Sequence, residues 1–268
     1  MSSRIPGTVV PPLVTVVLIA LAWVFVSSGG RVEDYVLPSP GSVVDALRDN
    51  WSARLASATW LTLGETLLGV LCGVGLALAV TVAAGYVPLL GRAVAPLLVA
   101  SQAVPTVVLG PILTIALGYG MLPKVIVVAL VCFFPVAITM LAAARGVDRR
   151  LVDTMRSLHG TRHSVFWRLR FPSALPAGFA GLRVAVTYAP VAAVFSEYTG
   201  STDGVGYLLL QAIPRLQTDF VFALVVVLTV MSASLLILAT AAERLCCPWL
   251  SSSRTSSRTG PTSQKGSR

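Results

Sequence analysis

The sequence predicts an all-α polytopic membrane protein with six transmembrane helices and a helical cytoplasmic loop between the fourth and the fifth. The first observation is composition: the 268-residue chain is 55% hydrophobic and only 12% charged, whereas soluble domains carry about a quarter charged residues. The second is that the apolar residues come in runs close to the roughly 20 residues that a helix needs to cross the bilayer. The net charge of +9 would fit a protein that binds nucleic acid. The cytoplasmic loops of membrane proteins are also enriched in Lys and Arg, which is a simpler source of the charge.

Six apolar runs are assigned as spans of one transmembrane domain that covers residues 9–242. A short N-terminal segment, residues 1–8, precedes the first span, and a tail, residues 243–268, follows the last. The spans are 9–27, 60–84, 93–117, 123–144, 177–197 and 220–242. A signal peptide is the alternative for the first run. Its apolar stretch exceeds the usual length of roughly 7–15 residues, so we expect a retained anchor.

Small residues and prolines shape two of these spans. Pro105 and Pro111 interrupt the third span, and both are expected to break its helix. Gly69, Gly73 and Gly75 in the second span predict close approach of a neighbouring helix, because a glycine lets two backbones come together.

The distribution of basic residues predicts the orientation. If the N-terminus is inside, fifteen of the 20 Lys and Arg fall in cytoplasmic segments, which is the arrangement that the positive-inside rule favours. Both termini are therefore expected in the cytoplasm of a cell-membrane protein. The tail is rich in Ser, Thr, Gly and Arg, so it is predicted to be disordered and to contact anionic lipid.

The cysteines and histidines predict neither a disulfide framework nor a metal site. Cys72 and Cys132 lie inside apolar runs, and Cys246 and Cys247 end the last run. No Cys-x-x-Cys pair and no Cys/His metal spacing occurs, so no metal and no cofactor is expected. All four thiols are expected to fill apolar space, with palmitoylation of the adjacent pair as the alternative. The two histidines are expected at the surface of the long loop.

The connection between the fourth and fifth spans, residues 145–176, is long and basic, whereas helix connections are commonly short. From Asp153 it reads DTMRSLHGTRHSVFWRLRFPSALP. Apolar residues recur at helical spacing in its first part, and Gly160 is a candidate helix stop. Thr161 is a candidate cap for a second short helix, which Pro172 is expected to end. This helix–turn–helix pattern favours docking of a cytoplasmic partner, with an amphipathic segment lying on the bilayer as the alternative.

The segment LVDTMRSLHGTRHSVFWRLRFPSALPAGFAGLRVAV resembles the coupling loop of permease subunits of bacterial ABC importers. It is most similar to the branch that serves nitrate, sulfonate, taurine and hydroxymethylpyrimidine uptake. That family carries E-A-A-x3-G and then a closing Leu-Pro; here Asp153 replaces the Glu and His159 replaces the Gly. The stretches SQAVPTVVLGPILTIALGYGMLPKVIVVALVCFFPV and FSEYTGSTDGVGYLLLQA are also similar to the family, which the chain resembles from about Leu37 onward.

The resemblance implies which residues couple the chain to an ATPase. The implied set is Asp153, Met155, Leu158, His159, Gly160, Leu175 and Pro176. His159 places a side chain at the turn where the family has glycine. If the turn needs a positive φ, we expect Gly160, one residue later, to supply it.

The resemblance also implies the partners. A cytoplasmic ATP-binding subunit, in two copies, would grip the loop and drive the spans between inward-open and outward-open states. The chain agrees in carrying no G-x-x-x-x-G-K-[ST] phosphate loop. An extracytoplasmic substrate-binding protein and a second permease copy, forming a homodimer, are implied as well. We expect contact with membrane lipid but no nucleic-acid partner and no enzymatic activity.

Two acids are candidates for the substrate path. Glu65 lies inside the second span, where a charge costs about 2.5–3.5 kcal/mol on insertion scales. It is expected either to contact substrate or to be an interfacial acid, alone or paired with Arg54. Glu197 ends the fifth span and is expected to be interfacial or to support a gate. A charged Glu65 favours a neutral or cationic heterocycle, such as a pyrimidine thiamine precursor, over nitrate, a sulfonate or taurine.

Two other classes of protein fit the sequence poorly. An intramembrane enzyme needs convergent Asp, His, Ser or metal ligands at membrane depth, and no such convergence is seen in the sequence. A secondary transporter or channel needs inverted repeats or a charge relay within its spans, which are also not seen. Neither class needs a partner-docking loop.

Overall fold

The computed structural model describes residues 10–28, 33, 35–101, 103 and 105–249. Across these ranges the secondary structure is helical, without a strand, and the predicted all-α class is confirmed. The N-terminal segment and the chain beyond residue 249 lie outside the described residues, and so do both predicted cytoplasmic ends. The part of the predicted tail that is described is helical as far as Cys246, so the prediction of disorder from residue 243 is wrong for its first four residues.

The helices are α1 Val10–Ser28, α2 Pro40–Asn50, α3 Ala56–Tyr86, α4 Pro88–Ser101, α5 Thr106–Leu117, α6 Met121–Arg145, α7 Arg149–Ser157, α8 Arg162–Val165, α9 Phe171–Glu197, α10 Val205–Ala212 and α11 Thr218–Cys246. Two π-helical turns, Trp51–Leu55 and Phe166–Arg170, join α2 to α3 and α8 to α9. The backbone is therefore helical without a break from Pro40 to Tyr86 and from Arg162 to Glu197.

Four of the described helical stretches are long and apolar enough to cross a membrane. They are Pro40–Tyr86, Met121–Arg145, Arg162–Glu197 and Thr218–Cys246, and they contain the predicted second, fourth, fifth and sixth spans. Shorter apolar helices cover Val17–Ser27, which lies within the predicted first span, and Leu89–Leu98 and Val108–Leu117, which overlap the predicted third span. The third span is broken at Pro105, as predicted, whereas Pro111 lies inside α5, so the second predicted break is wrong.

The helix that contains the predicted fifth span begins earlier than that span. Pro172 was expected to end a short helix, yet α9 runs on through it. In the preceding π-helical turn, the Phe171 N–H bonds to the Phe166 carbonyl, five residues back. Pro172 is the second residue of α9, directly after this π-helical turn, which changes the hydrogen-bond spacing where the proline N–H is missing.

The segment before the second span is also helical, which was not predicted. Ser39 caps α2, with its hydroxyl oxygen accepting from the Ser42 N–H at 3.1 Å, and Pro40 occupies the first turn. Val43 and Ala46 are buried, and charged side chains occupy other positions of the same short helix.

The chain divides into two compact units. The first comprises Met1–Leu67, Val107–Val127 and Pro190–Met231, and the second comprises Leu68–Thr106, Val128–Ala189 and Ser232–Arg268. In the first unit, Leu55, Val205 and Leu224 are among the fully buried members of one apolar cluster. Trp23 packs against this cluster and donates its indole N–H to the Pro38 carbonyl at 3.1 Å.

In the second unit, glycines let α3 approach α6. A Cβ at Gly69 would collide with the Val128 side chain, and one at Gly73 would collide with the Ala129 carbonyl oxygen. The predicted close approach is therefore confirmed at these two positions. Gly75 has nothing within 4 Å of its Cβ position, so the same prediction is wrong there.

Candidate functional site

The first helix of the long loop is α7, which has a side-chain cap at its start and a backbone-bonded turn at its end. Asp148 caps its start, with a carboxylate oxygen accepting from the Arg150 N–H at 2.9 Å. Val152 is buried on one face, whereas Leu151 and Leu158 are 53% and 77% exposed. An amphipathic helix normally buries its apolar residues, so the two leucines form an exposed apolar surface on the first helix of the loop.

The turn that ends α7 has the geometry of a Schellman motif. Gly160 N–H bonds to the Met155 carbonyl at 2.8 Å, and His159 N–H bonds to the Arg156 carbonyl at 3.0 Å. His159 has φ +61°, the left-handed conformation that this motif places just after the helix. The expectation that Gly160 would supply the positive φ is therefore wrong: His159 adopts it itself, at the position where the resembling family has glycine.

Gly160 is required at the same turn for a different reason. A Cβ at Gly160 would lie 2.5 Å from the Met155 carbonyl oxygen, which accepts the Gly160 N–H. Histidine is among the non-glycine residues enriched in the left-handed region. The turn thus uses histidine for backbone conformation and glycine for space.

Thr161 starts the second loop helix, as predicted. Its hydroxyl oxygen accepts from the Ser164 N–H at 3.2 Å. Val165 and Phe166 are buried beyond this cap, and the chain continues through the π-helical turn into α9.

Contacts with the end of α3 hold the second loop helix in place. The Tyr86 hydroxyl lies 2.6 Å from His163 Nδ1 and accepts from Trp167 Nε1 at 2.9 Å. The Phe166 ring centroid lies 5.5 Å from that of Tyr86. The ring of Phe166 also occupies the space that a Cβ on Gly85 would need, so the backbone of α3 and the loop are in direct contact.

The predicted coupling residues fall into two places. Asp153, Met155, Leu158, His159 and Gly160 lie along α7 and its turn, with Asp153 and His159 exposed. Leu175 and Pro176 lie in the second turn of α9 and are half-buried. Their role in coupling stays a prediction.

Glu65, the first substrate-path candidate, forms a buried ion pair. Its side chain is 0% exposed, and Lys124 Nζ lies 2.6 Å from its Oε1. The same ammonium donates to Ser201 Oγ at 2.8 Å. The alternative pairing with Arg54 is wrong: Arg54 Nη2 donates to Asn50 Oδ1 at 2.8 Å, and its guanidinium lies 4.4 Å from the Phe220 ring centroid.

Glu197, the second candidate, organises the segment that follows α9. Its side chain is 1% exposed. Its Oε1 accepts from the Thr62 hydroxyl at 2.6 Å, and its Oε2 accepts from the Gly206 N–H at 2.5 Å. The Thr62 hydroxyl oxygen in turn accepts from the Val205 N–H at 3.0 Å. Glu197 therefore holds the start of α10 against α3, and its expected interfacial or gate-supporting role stays a prediction.

Both acids are sealed in this conformation. Substrate contact by Glu65 or Glu197 would require the first unit to open, so that role stays a prediction.

The sequence interpretation missed Lys124, Tyr86 and Gly85. For Lys124 a signal was present, because an ionisable residue in the first turn of an apolar span usually has a buried partner. Tyr86 and Gly85 offered no local signal, because their contacts are with residues about eighty positions away along the chain.

Comparison with known proteins gives a family match over most of the chain. Residues 69–251 match the family described as "Binding-protein-dependent transport system inner membrane component". A probable ABC transporter permease protein of Haemophilus influenzae is 33% identical over 224 residues, which cover 84% of this chain and 91% of that protein.

Two further relatives are named for what they transport. The formylaminopyrimidine transport permease protein ThiX of Halalkalibacterium halodurans is 29% identical over 217 residues, covering 81% of this chain and 87% of that protein. The putative aliphatic sulfonates transport permease protein SsuC of Bacillus subtilis is 31% identical over 219 residues, covering 81% of this chain and 79% of that protein.

Proposed function

The chain belongs to the family of binding-protein-dependent transport system inner membrane components, and from this premise we propose that residues 145–176 form the surface on which the ATP-binding subunit docks. The chain is a multi-pass membrane protein and the permease subunit of an ABC importer for a small molecule. It is not an enzyme. An ATP-binding subunit and a substrate-binding protein are its partners.

One observation carries the proposed docking surface: α7 leaves Leu151 and Leu158 exposed beside a tightly capped turn. Full burial of a leucine side chain contributes roughly 1.5–3 kcal/mol, so an apolar cleft on a partner would gain affinity from both. The caps at Asp148 and His159 hold the helix in one shape before binding, which lowers the entropy cost of docking. Asp153 lies between the two leucines in sequence and offers a carboxylate to a basic group on the partner.

The attachment of the loop to α3 suggests how docking would reach the membrane. Tyr86 and Gly85 contact the second loop helix, and that helix continues into α9. A displacement of the loop would therefore act on two spanning helices at once, without a flexible joint at the start of α9.

We further propose two permease copies, two ATP-binding subunits and cytoplasmic termini in the cell membrane. The proposed regions are an N-terminal segment 1–8, a permease domain 9–242 and a basic tail 243–268. The excess of Lys and Arg in the predicted cytoplasmic segments supports this orientation. In this proposal the two permease copies are identical and line one path between them, as a homodimer.

The pairing of Glu65 changes the substrate argument. A lone buried carboxylate favoured a pyrimidine thiamine precursor, but Lys124 compensates its charge, so an oxyanion is no longer disfavoured. The two relatives named for a formylaminopyrimidine and for aliphatic sulfonates have similar identities to this chain. We propose both as substrate classes to be compared directly, by measuring which compound the co-purified binding protein retains.

Co-purification tests the docking surface. The full chain, tagged and extracted in mild detergent, should retain an ATP-binding subunit that mass spectrometry identifies. The variant Asp153→Lys/Leu158→Lys should lose that subunit, because it removes the carboxylate and places an ammonium in the apolar contact.

A matched control separates docking from a general effect of two added lysines. Val44→Lys/Asp45→Lys makes the same two types of change at exposed positions of α2, which is predicted to lie on the outer side. It should retain the ATP-binding subunit. Retention by both variants, or loss from both, would contradict the proposed surface.

A further inference from the structure

A cavity lined by three arginines lies between the end of α3 and the loop helices. Its volume is about 220 Å³, which corresponds to roughly seven water molecules at about 30 Å³ each. The cavity is lined by Gly85, Tyr86, Arg156, Arg162, Val165, Phe166 and Arg170, with no acid among them. This space is large enough for a phosphate group and some of its hydration.

The three arginines carry positive charge that nothing in the described part of the chain neutralises. The ion pairs formed by described residues are Lys124–Glu65 and Arg183–Glu243, and neither includes Arg156, Arg162 or Arg170. In addition, Arg170 Nε is buried and has no hydrogen-bond partner. A buried donor without a protein partner calls for an explanation such as a bound ion, and three guanidinium groups around one cavity favour an anion.

The position of the cavity along the helices indicates the depth of that anion. Tyr86 is the last residue of α3 and Phe171 is the first of α9, and both helices belong to stretches apolar enough to cross a membrane. The cavity therefore lies where spans leave the hydrocarbon, at headgroup level. Exposed Tyr86 and Trp167 are at the same level, which is where Tyr and Trp are enriched in membrane proteins.

We propose that this cavity binds the phosphate group of an anionic phospholipid headgroup. Arginine matches phosphate oxygens through paired N–H donors, and basic pockets between membrane helices are known to hold anionic headgroups. Val165 and Phe166 form an apolar wall for the glycerol and the first acyl carbons. The lipid would brace the loop against α3 and α9, independently of what docks on Leu151 and Leu158.

The test measures which lipid the full chain retains. The chain is placed in nanodiscs of equal phosphatidylglycerol and phosphatidylcholine, re-extracted, and analysed by native mass spectrometry. The native chain should retain phosphatidylglycerol preferentially. Arg156→Gln/Arg162→Gln/Arg170→Gln should lower that preference, by about fivefold for each arginine that contacts the phosphate.

A matched control and a milder variant make the test specific. Arg149→Gln/Arg150→Gln/Arg168→Gln removes three exposed charges from the same loop, outside the cavity lining, and should keep the preference. Because Arg170 is half-buried, Arg156→Gln/Arg162→Gln serves as a second cavity variant that changes only exposed residues.

Four outcomes would overturn the proposal. One is equal retention of the two lipids by the native chain, and another is the same loss of preference in cavity and control variants. Displacement of the lipid by excess inorganic phosphate would assign the site to a soluble anion. Unchanged lipid retention with loss of the ATP-binding subunit from the cavity variants would assign the arginines to a protein partner.

Discussion

Lys124 Nζ lies 2.6 Å from Glu65 Oε1 and 2.8 Å from Ser201 Oγ. One ammonium therefore joins α3, α6 and the segment between α9 and α10 inside the first unit. Two carboxylates, Glu65 and Glu197, lie in this unit, both buried, and each fixes a different neighbour of α3. The two acids therefore serve as buried hydrogen-bond acceptors for Lys124, Thr62 and the Gly206 N–H. Such partners are needed because the bilayer interior has no water to bond these groups.

We expect Lys124→Met to lower the stability of the chain by about 3–5 kcal/mol, because removing one partner leaves the other charge buried and uncompensated. The midpoint of thermal unfolding in detergent measures this. The double variant Glu65→Gln/Lys124→Met should recover most of the loss. Arg48→Met, at an exposed position on α2, is the control and should change stability by less than about 0.5 kcal/mol. A native-like midpoint for Lys124→Met alone would mean that the pair does not stabilise the fold.

Thr62→Val should destabilise the chain by about 1–3 kcal/mol, because it leaves Glu197 Oε1 and the Val205 N–H each without the buried partner that Thr62 provides. Thr66→Val is the matched control, one turn further along α3. The Thr66 hydroxyl is equally buried but bonds only to the Thr62 carbonyl of its own helix, so its loss should cost much less. Thermal unfolding of the two variants side by side gives the comparison, and equal shifts would argue against a special role for Thr62.

His159→Gly should keep or raise stability by up to about 1 kcal/mol, because a left-handed conformation costs a non-glycine residue roughly 1–2 kcal/mol and the gain is partly offset by unfolded-state entropy. Gly160→Ala should instead be destabilising, because its Cβ would lie 2.5 Å from the Met155 carbonyl oxygen. Unfolding midpoints and co-purification of the ATP-binding subunit measure both effects. If Gly160→Ala were tolerated and His159→Gly were harmful, the turn would not have the described geometry.

Gly85→Ala should weaken coupling, because the new methyl group would collide with the Phe166 ring and push the second loop helix away from α3. In the reconstituted importer, we expect ATP hydrolysis to continue while the substrate transported per ATP falls severalfold. Gly75→Ala in the same helix meets nothing within 4 Å. It should be neutral or stabilising by up to about 1 kcal/mol, as expected for Gly to Ala in a helix. Identical transport ratios for the two variants would exclude a mechanical role for the Gly85–Phe166 contact.

The main architectural features were predictable from local pattern. Long apolar runs and few charges predict a helical membrane protein, because a spanning segment must bond its own backbone and face lipid with apolar side chains. The cap at Thr161 and the break at Pro105 were also predictable, because capping and helix termination depend on a few neighbouring residues. The glycines at Gly69 and Gly73 indicated a close helix contact without indicating which helix.

Other features depended on partners that are distant in sequence. Lys124 pairs with Glu65 across 59 positions, and Tyr86 contacts His163 across 77, and no periodicity identifies such pairs. The continuation of α9 through Pro172 required a π-helical turn, which follows from how the loop packs rather than from proline's own preference.

The sequence by itself determined the class of protein, the apolar character of its long segments and the presence of a capped helical loop, because each follows from residues close together in the chain. Only the tertiary structure decided that Glu65 forms an ion pair with Lys124, that His159 takes the left-handed conformation and that three arginines line one cavity. Those outcomes depend on which side chains the packing brings within about 4 Å of each other, where Coulomb and hydrogen-bond energies become large.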